Sequence, residues 1–233
     1  MAIGRRTVNA VRYVLEDLLP PALRDSALFL PLMYLAWGRD APRSIAFRDH
    51  VRTMSEAEVA ACYAALIPIM GDTDLNTACM DRILDEVVGG SILDAGCGRG
   101  GLVARLAEGY PNADLVGADI FPADPPALPN GPRFVEGWLG RLPFADKSHD
   151  TVVCTHALEH VLDFEGAVAD LRRIARRRLI IVVPRERESI YPLNLHVQFF
   201  PYRHSLLNRI RPPEGRFVCE LLHGDFYYRE DLG

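Results

Sequence analysis

The chain has 233 residues, of which 49% are hydrophobic and 24% charged, and a formal net charge of −5 at pH 7. That length has room for one large domain or for a domain with an extension, and the composition is that of an ordinary globular protein. The negative charge argues against a general phosphate-backbone binder, so nucleic acid is not an expected partner.

Residues 1–90 read as helical. Val8, Val11, Val14, Leu15, Leu18 and Leu19 recur at helical spacing until Pro20-Pro21 stops the pattern. A second apolar segment runs from about Ala22 to Trp37, interrupted near Pro31 and ended by Gly38. Its apolar run from Ala27 to Trp37 is too short to cross a bilayer. Ser55 followed by Glu58 is a capping box and predicts a helix towards Leu66. Asp74 is the expected cap of a fourth helix over Leu75–Val88, closed by Gly89-Gly90. Packing as a cap on a following domain is the expectation for residues 1–90. The alternatives are a lid over an apolar substrate and contact with a membrane surface through residues 1–37.

From Ser91 strands and helices alternate, which predicts an α/β domain over 91–233. Strands are expected at Ser91–Ala95, Ala113–Asp119, Arg133–Glu136, His149–Cys154 and Arg178–Val183. Helices are expected at Gly100–Glu108, Phe164–Ala175 and Ser205–Ile210. Leu179 to Val183 form an unbroken apolar run, which suits a central strand buried on both faces. Two last strands, Phe217–His223 and Phe226–Arg229, flank Gly224-Asp225 as a hairpin. The prolines between Phe121 and Pro132 exclude a long helix there. Arg172, Arg173, Arg176, Arg177 and Arg178 read as a solvated helix end.

Cysteines at 62, 79, 97, 154 and 219 are scattered and odd in number, with no C-x-x-C pair. Neither a disulfide framework nor a cysteine-bound zinc is expected, and a reducing cytoplasm fits. The amino-terminal segment lacks the unbroken apolar core of a secretory signal. Nothing in the sequence sets the oligomeric state.

Gly96, Gly98 and Gly101 satisfy G-x-G-x-x-G directly after a predicted strand, and Asp119 follows 18 residues after the last of them. That fingerprint admits a nicotinamide-dependent oxidoreductase. Asp94 argues against it, because an acid two residues ahead of Gly96 repels a pyrophosphate and attracts an ammonium group. The terminal hairpin also stands where a second mononucleotide-binding half would begin.

Ile92-Leu93-Asp94-Ala95-Gly96-Cys97-Gly98-Arg99-Gly100 resembles the first motif of class I S-adenosylmethionine-dependent methyltransferases. Val116 to Ile120 is similar to the end of their second strand, and Leu142 to Asp150 with Ala157 to Val161 to their fourth-strand region. The resemblance covers about Ser91 to Arg229. It implies a Rossmann-like, seven-stranded, mostly parallel sheet with an antiparallel last strand, and S-adenosylmethionine as cofactor. Asp94, Gly96, Cys97 and Gly98 would hold the methionine portion and Asp119 the ribose hydroxyls, with Ile120 on the adenine. Many relatives carry an Asp that reads the adenine amino group, whereas this chain has Gly137-Trp138-Leu139. Trp138 and Leu139 would then border the adenine by packing and by a backbone N–H. Thr155 and His156 would line the sulfonium side.

His156, Glu159 and His160 are candidate catalytic residues, with Glu159 or His160 accepting a proton from the acceptor. They fit H-x-x-E-H, the pattern of inverted zinc metalloproteases, but directly after a strand in this order of motifs no metal is expected. Tyr191, His196, Tyr202 and Arg203 are candidate acceptor-binding residues. The expected function is methyl transfer to an oxygen or nitrogen, less readily a carbon, of a small molecule such as a sugar-containing or other secondary metabolite. A non-catalytic cofactor-binding protein that engages a partner through residues 1–90 is a further alternative.

Overall fold

The computed structural model describes residues 14, 18–66, 75–121, 131–191 and 194–233, without the side chains of 36, 37, 65 and 66. Most of the first predicted helix, Asp74 and most of the proline-rich stretch lie outside the described residues.

The carboxyl-terminal part is one seven-stranded sheet. Its strands are β1 (Ser91–Ala95), β2 (Asp114–Asp119), β3 (Arg133–Glu136), β4 (His149–Thr155), β5 (Ala175–Pro184), β6 (Phe217–Leu222) and β7 (Asp225–Asp231). They lie in the order β3-β2-β1-β4-β5-β7-β6. Strands β1 to β5 pair in parallel, and β7 is antiparallel to both β5 and β6. This is the mostly parallel sheet with a terminal hairpin that the alternation of elements predicts, and the seven-stranded Rossmann-like order that the resemblance implies.

Period-two alternation explains how β5 is buried twice. Leu179, Ile181 and Val183 face a core with Leu93, Ala95, Phe164 and Leu171. Ile180 and Val182 face the opposite core with Ile92, Leu106, Val153 and Tyr227. Four α-helices cover these two layers among the described residues: α5 (Thr77–Glu86) and α6 (Gly101–Gly109) on one side, α7 (Phe164–Ile174) and α8 (Arg203–Ile210) on the other.

The amino-terminal part holds α1 (Pro21–Arg24), α2 (Leu30–Trp37), α3 (Ala41–His50) and α4 (Glu56–Leu66). Helix α3 has no counterpart in the sequence reading, because Pro42 and a sparse apolar face hide its period; the proline occupies the first turn, where a missing N–H costs nothing. The capping box is present, with the Ser55 N–H donating to Glu58 at 2.8 Å. Phe47, Val51 and Cys62 of this part bury against Leu195 of the segment after β5. Arg48 donates to the Ser189 carbonyl at 2.6 Å, and Asp25 accepts from the Ile190 N–H at 2.7 Å. The helical cap therefore sits on the loop that leaves β5.

Helix α5 belongs instead to the sheet: Cys79, Met80 and Ile83 are part of the core beneath β1 and β4. Its cap is Asn76, which accepts from the Cys79 N–H at 2.9 Å.

Three local readings are corrected by the fold. Residues Ala175–Arg178 open β5 rather than ending a helix. The arginines around them are mostly partnered: Arg172 with Glu230, Arg173 with Asp170 and Asp146, and Arg178 with Asp231. The hairpin turn is His223-Gly224, with φ of 49° and 94°, the two positive values that suit a tight hairpin. Asp225 starts β7 and is buried, because its carboxylate is held by Asn76 at 2.7 Å. Among the described residues no helix is long and apolar enough to cross a membrane.

Candidate functional site

The first half of the site is built where β1 and β2 end side by side. After Ala95 the chain turns through Gly96, Gly98 and Gly100, at φ of 81°, 50° and 79°. These left-handed positions favour glycine, since a Cβ there is strained. At Gly96 a Cβ would also lie 2.4 Å from the Ala157 Cβ, so this turn touches the loop after β4. At Gly98 nothing lies within 4 Å of a Cβ position, and the backbone there borders open space.

The turn is tied to β2. The Gly96 and Cys97 N–H groups both donate to the Ala118 carbonyl, at 2.7 and 3.0 Å. The Gly98 N–H donates to Asp119 Oδ2 at 2.9 Å, and the Phe121 N–H donates to Asp119 Oδ1 at 2.9 Å. Asp119 is thus fixed by two backbone donors. An ionised carboxylate has about four acceptor positions, so it keeps acceptor capacity for a diol.

Asp94 is 1% exposed, and its Oδ1 has no hydrogen-bond partner. Burial, with Asp119 nearby, pushes its carboxyl up to about 8. A buried acid with an unpartnered oxygen beside an open glycine backbone fits a cationic ligand group and does not fit a pyrophosphate. Cys97 is buried, and burial beside these two acids pushes its thiol up, so it is a packing residue rather than a nucleophile.

Across the sheet edge, the Gly137 N–H donates to the Asp119 carbonyl at 3.0 Å, bringing the loop after β3 to the same end. Leu139 comes 3.9 Å from a Gly96 Cβ position. Trp138 is partly buried, with the Arg141 guanidinium over its ring at 5.8 Å. Ile120 follows Asp119 and is partly buried.

The second half lies after β4 and β5. Thr155 ends β4 and is buried. His156 adopts φ of 50°, and Leu158–His160 form a single 3-10 turn. The expected helical sharing of a face by His156 and His160 is therefore replaced by a tight turn. Its result is a buried cluster. Glu159 is 1% exposed, 3.4 Å from His156 Nδ1 and 4.0 Å from His196 Nε2, and neither of its oxygens has a hydrogen-bond partner. His156 Nε2 lies 3.3 Å from Asp225 Oδ2. The His160 ring meets those of Tyr63 and His196 edge-on, at 5.2 and 4.7 Å. His196 Nδ1 is 2.6 Å from Glu186, whose carboxylate also takes Asn194 at 2.8 Å.

The histidines differ in charge. Burial lowers the basicity of His156, but its hydrogen bond to Asp225 and the nearby Glu159 carboxylate outweigh that and raise it to about 10. His156 is thus a fixed cation at neutral pH. Burial and the neighbouring His196 lower His160 to about 4, so it is neutral.

Of the expected acceptor-binding residues, His196 joins this cluster and the partly buried Tyr191 lies five residues before it, on the segment the cap covers. Tyr202 and Arg203 are turned elsewhere. Tyr202 is exposed and stacks on His204, while Arg203 donates to the Cys219 carbonyl at 3.0 Å and lies over Phe217. Tyr63, Glu186 and Asp225 join the cluster without a signal in the sequence, since each comes from a distant element.

Residues 93–183 match the family model described as a methyltransferase domain. A demethylmenaquinone methyltransferase of Thermus thermophilus is 31% identical over 145 residues, covering 58% of this chain and 60% of its own length. A sterol 24-C-methyltransferase of Gibberella zeae is 29% identical over 97 residues, 38% of this chain and 25% of its own length. The chain thus spans no more than 60% of the length of either relative. Among solved structures, the 1,6-didemethyltoxoflavin-N1-methyltransferase of Burkholderia thailandensis, with S-adenosylhomocysteine bound, superposes with a TM-score of 0.57. At 15% identity, over 75% of this chain and 85% of that one, this is a likeness of fold.

Proposed function

We propose, from the match of residues 93–183 to the methyltransferase-domain model, that the chain is a class I S-adenosylmethionine-dependent methyltransferase that methylates a small molecule at oxygen or nitrogen, less readily at carbon. The observation that carries this reading is the unpartnered, buried Asp94 oxygen on the strand that leads into the glycine turn, where a Cβ at Gly98 would meet nothing within 4 Å. The relatives named for demethylmenaquinone and for a sterol support a small-molecule acceptor, and we favour a sugar-containing or other secondary metabolite.

S-adenosylmethionine supplies an activated methyl group on sulfur. Asp94 binds the ammonium of its methionine portion, with the backbone of Gly96, Cys97 and Gly98 alongside. Asp119 accepts from the ribose hydroxyls. Ile120, Trp138 and Leu139 pack at the adenine end. Thr155 and His156 stand at the sulfur side, where alignment of nucleophile, methyl and sulfur is the main requirement. Of the three candidate bases, His156 is already protonated and Glu159 is enclosed by histidines. His160 is neutral but weakly basic.

Residues 1–90 act as the cap over the acceptor side, with α5 serving the sheet. The exposed Leu28, Tyr34 and Leu35 support a lid or a membrane-surface contact for the first part of that cap.

The test is incubation of the protein with methyl-labelled S-adenosylmethionine and a metabolite extract, followed by mass spectrometry. A labelled product is expected. Absence of both product and S-adenosylhomocysteine binding overturns the reading.

The Asp94 carboxyl also predicts a pH dependence. In the free protein it keeps its proton up to about pH 8, whereas an ammonium ligand needs it ionised. Affinity for S-adenosylhomocysteine should therefore rise between pH 6 and 8, by up to about tenfold per unit, and then level off. Without ligand the sign is opposite: the raised carboxyl contributes stability that is complete below the ordinary carboxyl range and is lost as pH rises through about 8. Calorimetric titrations at three pH values check the slope, and Asp94→Asn should remove it.

A further inference from the structure

We propose that Glu159, His160 and His196 form a binding site for a divalent transition-metal cation. One ligand atom from each of the three residues lies within 4.8 Å of the other two. Two imidazole nitrogens and a carboxylate are a donor set that zinc, iron(II) and manganese accept.

The orientation of each group favours a cation between them. His196 Nδ1 points at Glu186 Oε2, 2.6 Å away, and Glu186 is itself clamped by Asn194. His160 Nδ1 points at the Leu195 carbonyl, 3.4 Å away. A carboxylate or a carbonyl on Nδ1 is the arrangement that leaves Nε2 as a lone-pair donor and orients the ring for a metal. His196 Nε2 faces Glu159 Oε1 at 4.0 Å. Both Glu159 oxygens are without a hydrogen-bond partner, although the residue is 1% exposed.

The backbone of Glu159 is held in place by the segment that carries His196. The Val197 and Gln198 N–H groups donate to the Glu159 carbonyl at 2.8 and 3.0 Å. Tyr63 of the cap donates to the His160 carbonyl at 3.2 Å. Metal–ligand bonds of about 2.0–2.2 Å set ligand atoms roughly 3.3 Å apart, so the side chains must draw in by about an ångström. His160 and His196 are partly exposed.

What the cation does rests on the methyltransferase reading; the site itself does not. A cation held by Glu159, His160 and His196 would lower the pKa of an acceptor hydroxyl bound to it and let the proton leave to solvent. That oxygen would form its bond to the methyl carbon as the carbon–sulfur bond of S-adenosylmethionine breaks, releasing S-adenosylhomocysteine. This selects oxygen among the acceptor atoms.

The experiment uses the full chain, stripped with a chelator and titrated with zinc(II) and with cobalt(II). One equivalent of zinc should bind. The cobalt spectrum should show nitrogen and oxygen ligands without thiolate charge transfer, which separates the site from the buried cysteines. Glu159→Gln and His196→Ala should each weaken zinc by more than the roughly 10–100-fold typical of second-shell changes. His204→Ala, an exposed histidine, should leave zinc affinity unchanged. S-adenosylhomocysteine affinity and circular dichroism report whether each variant folds. Uptake equal in the wild type and both variants, no stoichiometric uptake, or a thiolate cobalt spectrum overturns the proposal in favour of a cluster balanced by protons only. Zinc binding without S-adenosylhomocysteine binding keeps the site and removes the methyltransferase reading.

Discussion

Asp119→Ala should cost the protein about 10²–10⁴-fold in affinity for S-adenosylhomocysteine. Each hydrogen bond to a charged group contributes about 1.5–3 kcal/mol, and two hydroxyls on one carboxylate give about 3–6 kcal/mol. The carboxylate is already oriented by the Gly98 and Phe121 N–H groups, both at 2.9 Å, so little ordering is needed when a ligand arrives. Its removal also frees the Gly98 N–H and loosens the glycine turn. Asp119→Asn retains one acceptor oxygen and should be milder, about tenfold. Calorimetric titration measures both, and circular dichroism shows whether the sheet persists. A loss below tenfold for the alanine variant with an intact fold would place the ribose elsewhere.

Glu230→Ala should destabilise the fold by about 3–5 kcal/mol, because it leaves a buried charge uncompensated. Glu230 lies on β7 and is fully buried. It takes Arg172 through both carboxylate oxygens, at 2.5 and 2.7 Å, and also accepts from the Tyr228 hydroxyl. Arg172 in turn donates to the Ile210 carbonyl at 2.9 Å. The pair joins α7, the end of α8 and β7, three elements far apart in the chain. Replacing both partners with apolar residues of similar volume should cost less than the single change, since no charge is then stranded. Urea unfolding of the single and double variants checks this. Equal losses would show that the contribution is packing rather than charge.

These arginines mark a boundary of what local sequence carries. A run of basic residues at a helix end reads as solvated, since the partners that bury Arg172 and Arg178 are 58 and 53 residues away. The same holds for Asp225, which sits beside a glycine in a turn-like sequence. Its burial follows from Asn76 and His156 coming to it from elsewhere.

The candidate site divides along the same line. Its cofactor half is legible because glycine spacing and two acids at strand ends are local features, and a parallel α/β order brings the ends of adjacent strands together. The structure adds the ties that sharpen it, namely Ala118 and Asp119 holding the glycine turn. The loop after β3 is less legible, since the course of the chain around Trp138 depends on what it packs against.

The H-x-x-E-H stretch shows the limit most clearly. As sequence it suggests two histidines on one helical face. In the fold His156 takes a left-handed conformation, the helix never forms, and the partners of Glu159 are set by the segment after β5. By itself the sequence determined the order of strands and helices, the burial of β5 and the positions of Asp94 and Asp119, because side-chain period and backbone freedom act within a few residues. Only the tertiary structure decided which buried charges are paired and which histidines surround Glu159. Those contacts close over long stretches of chain, and it is desolvation in the assembled core that makes them matter.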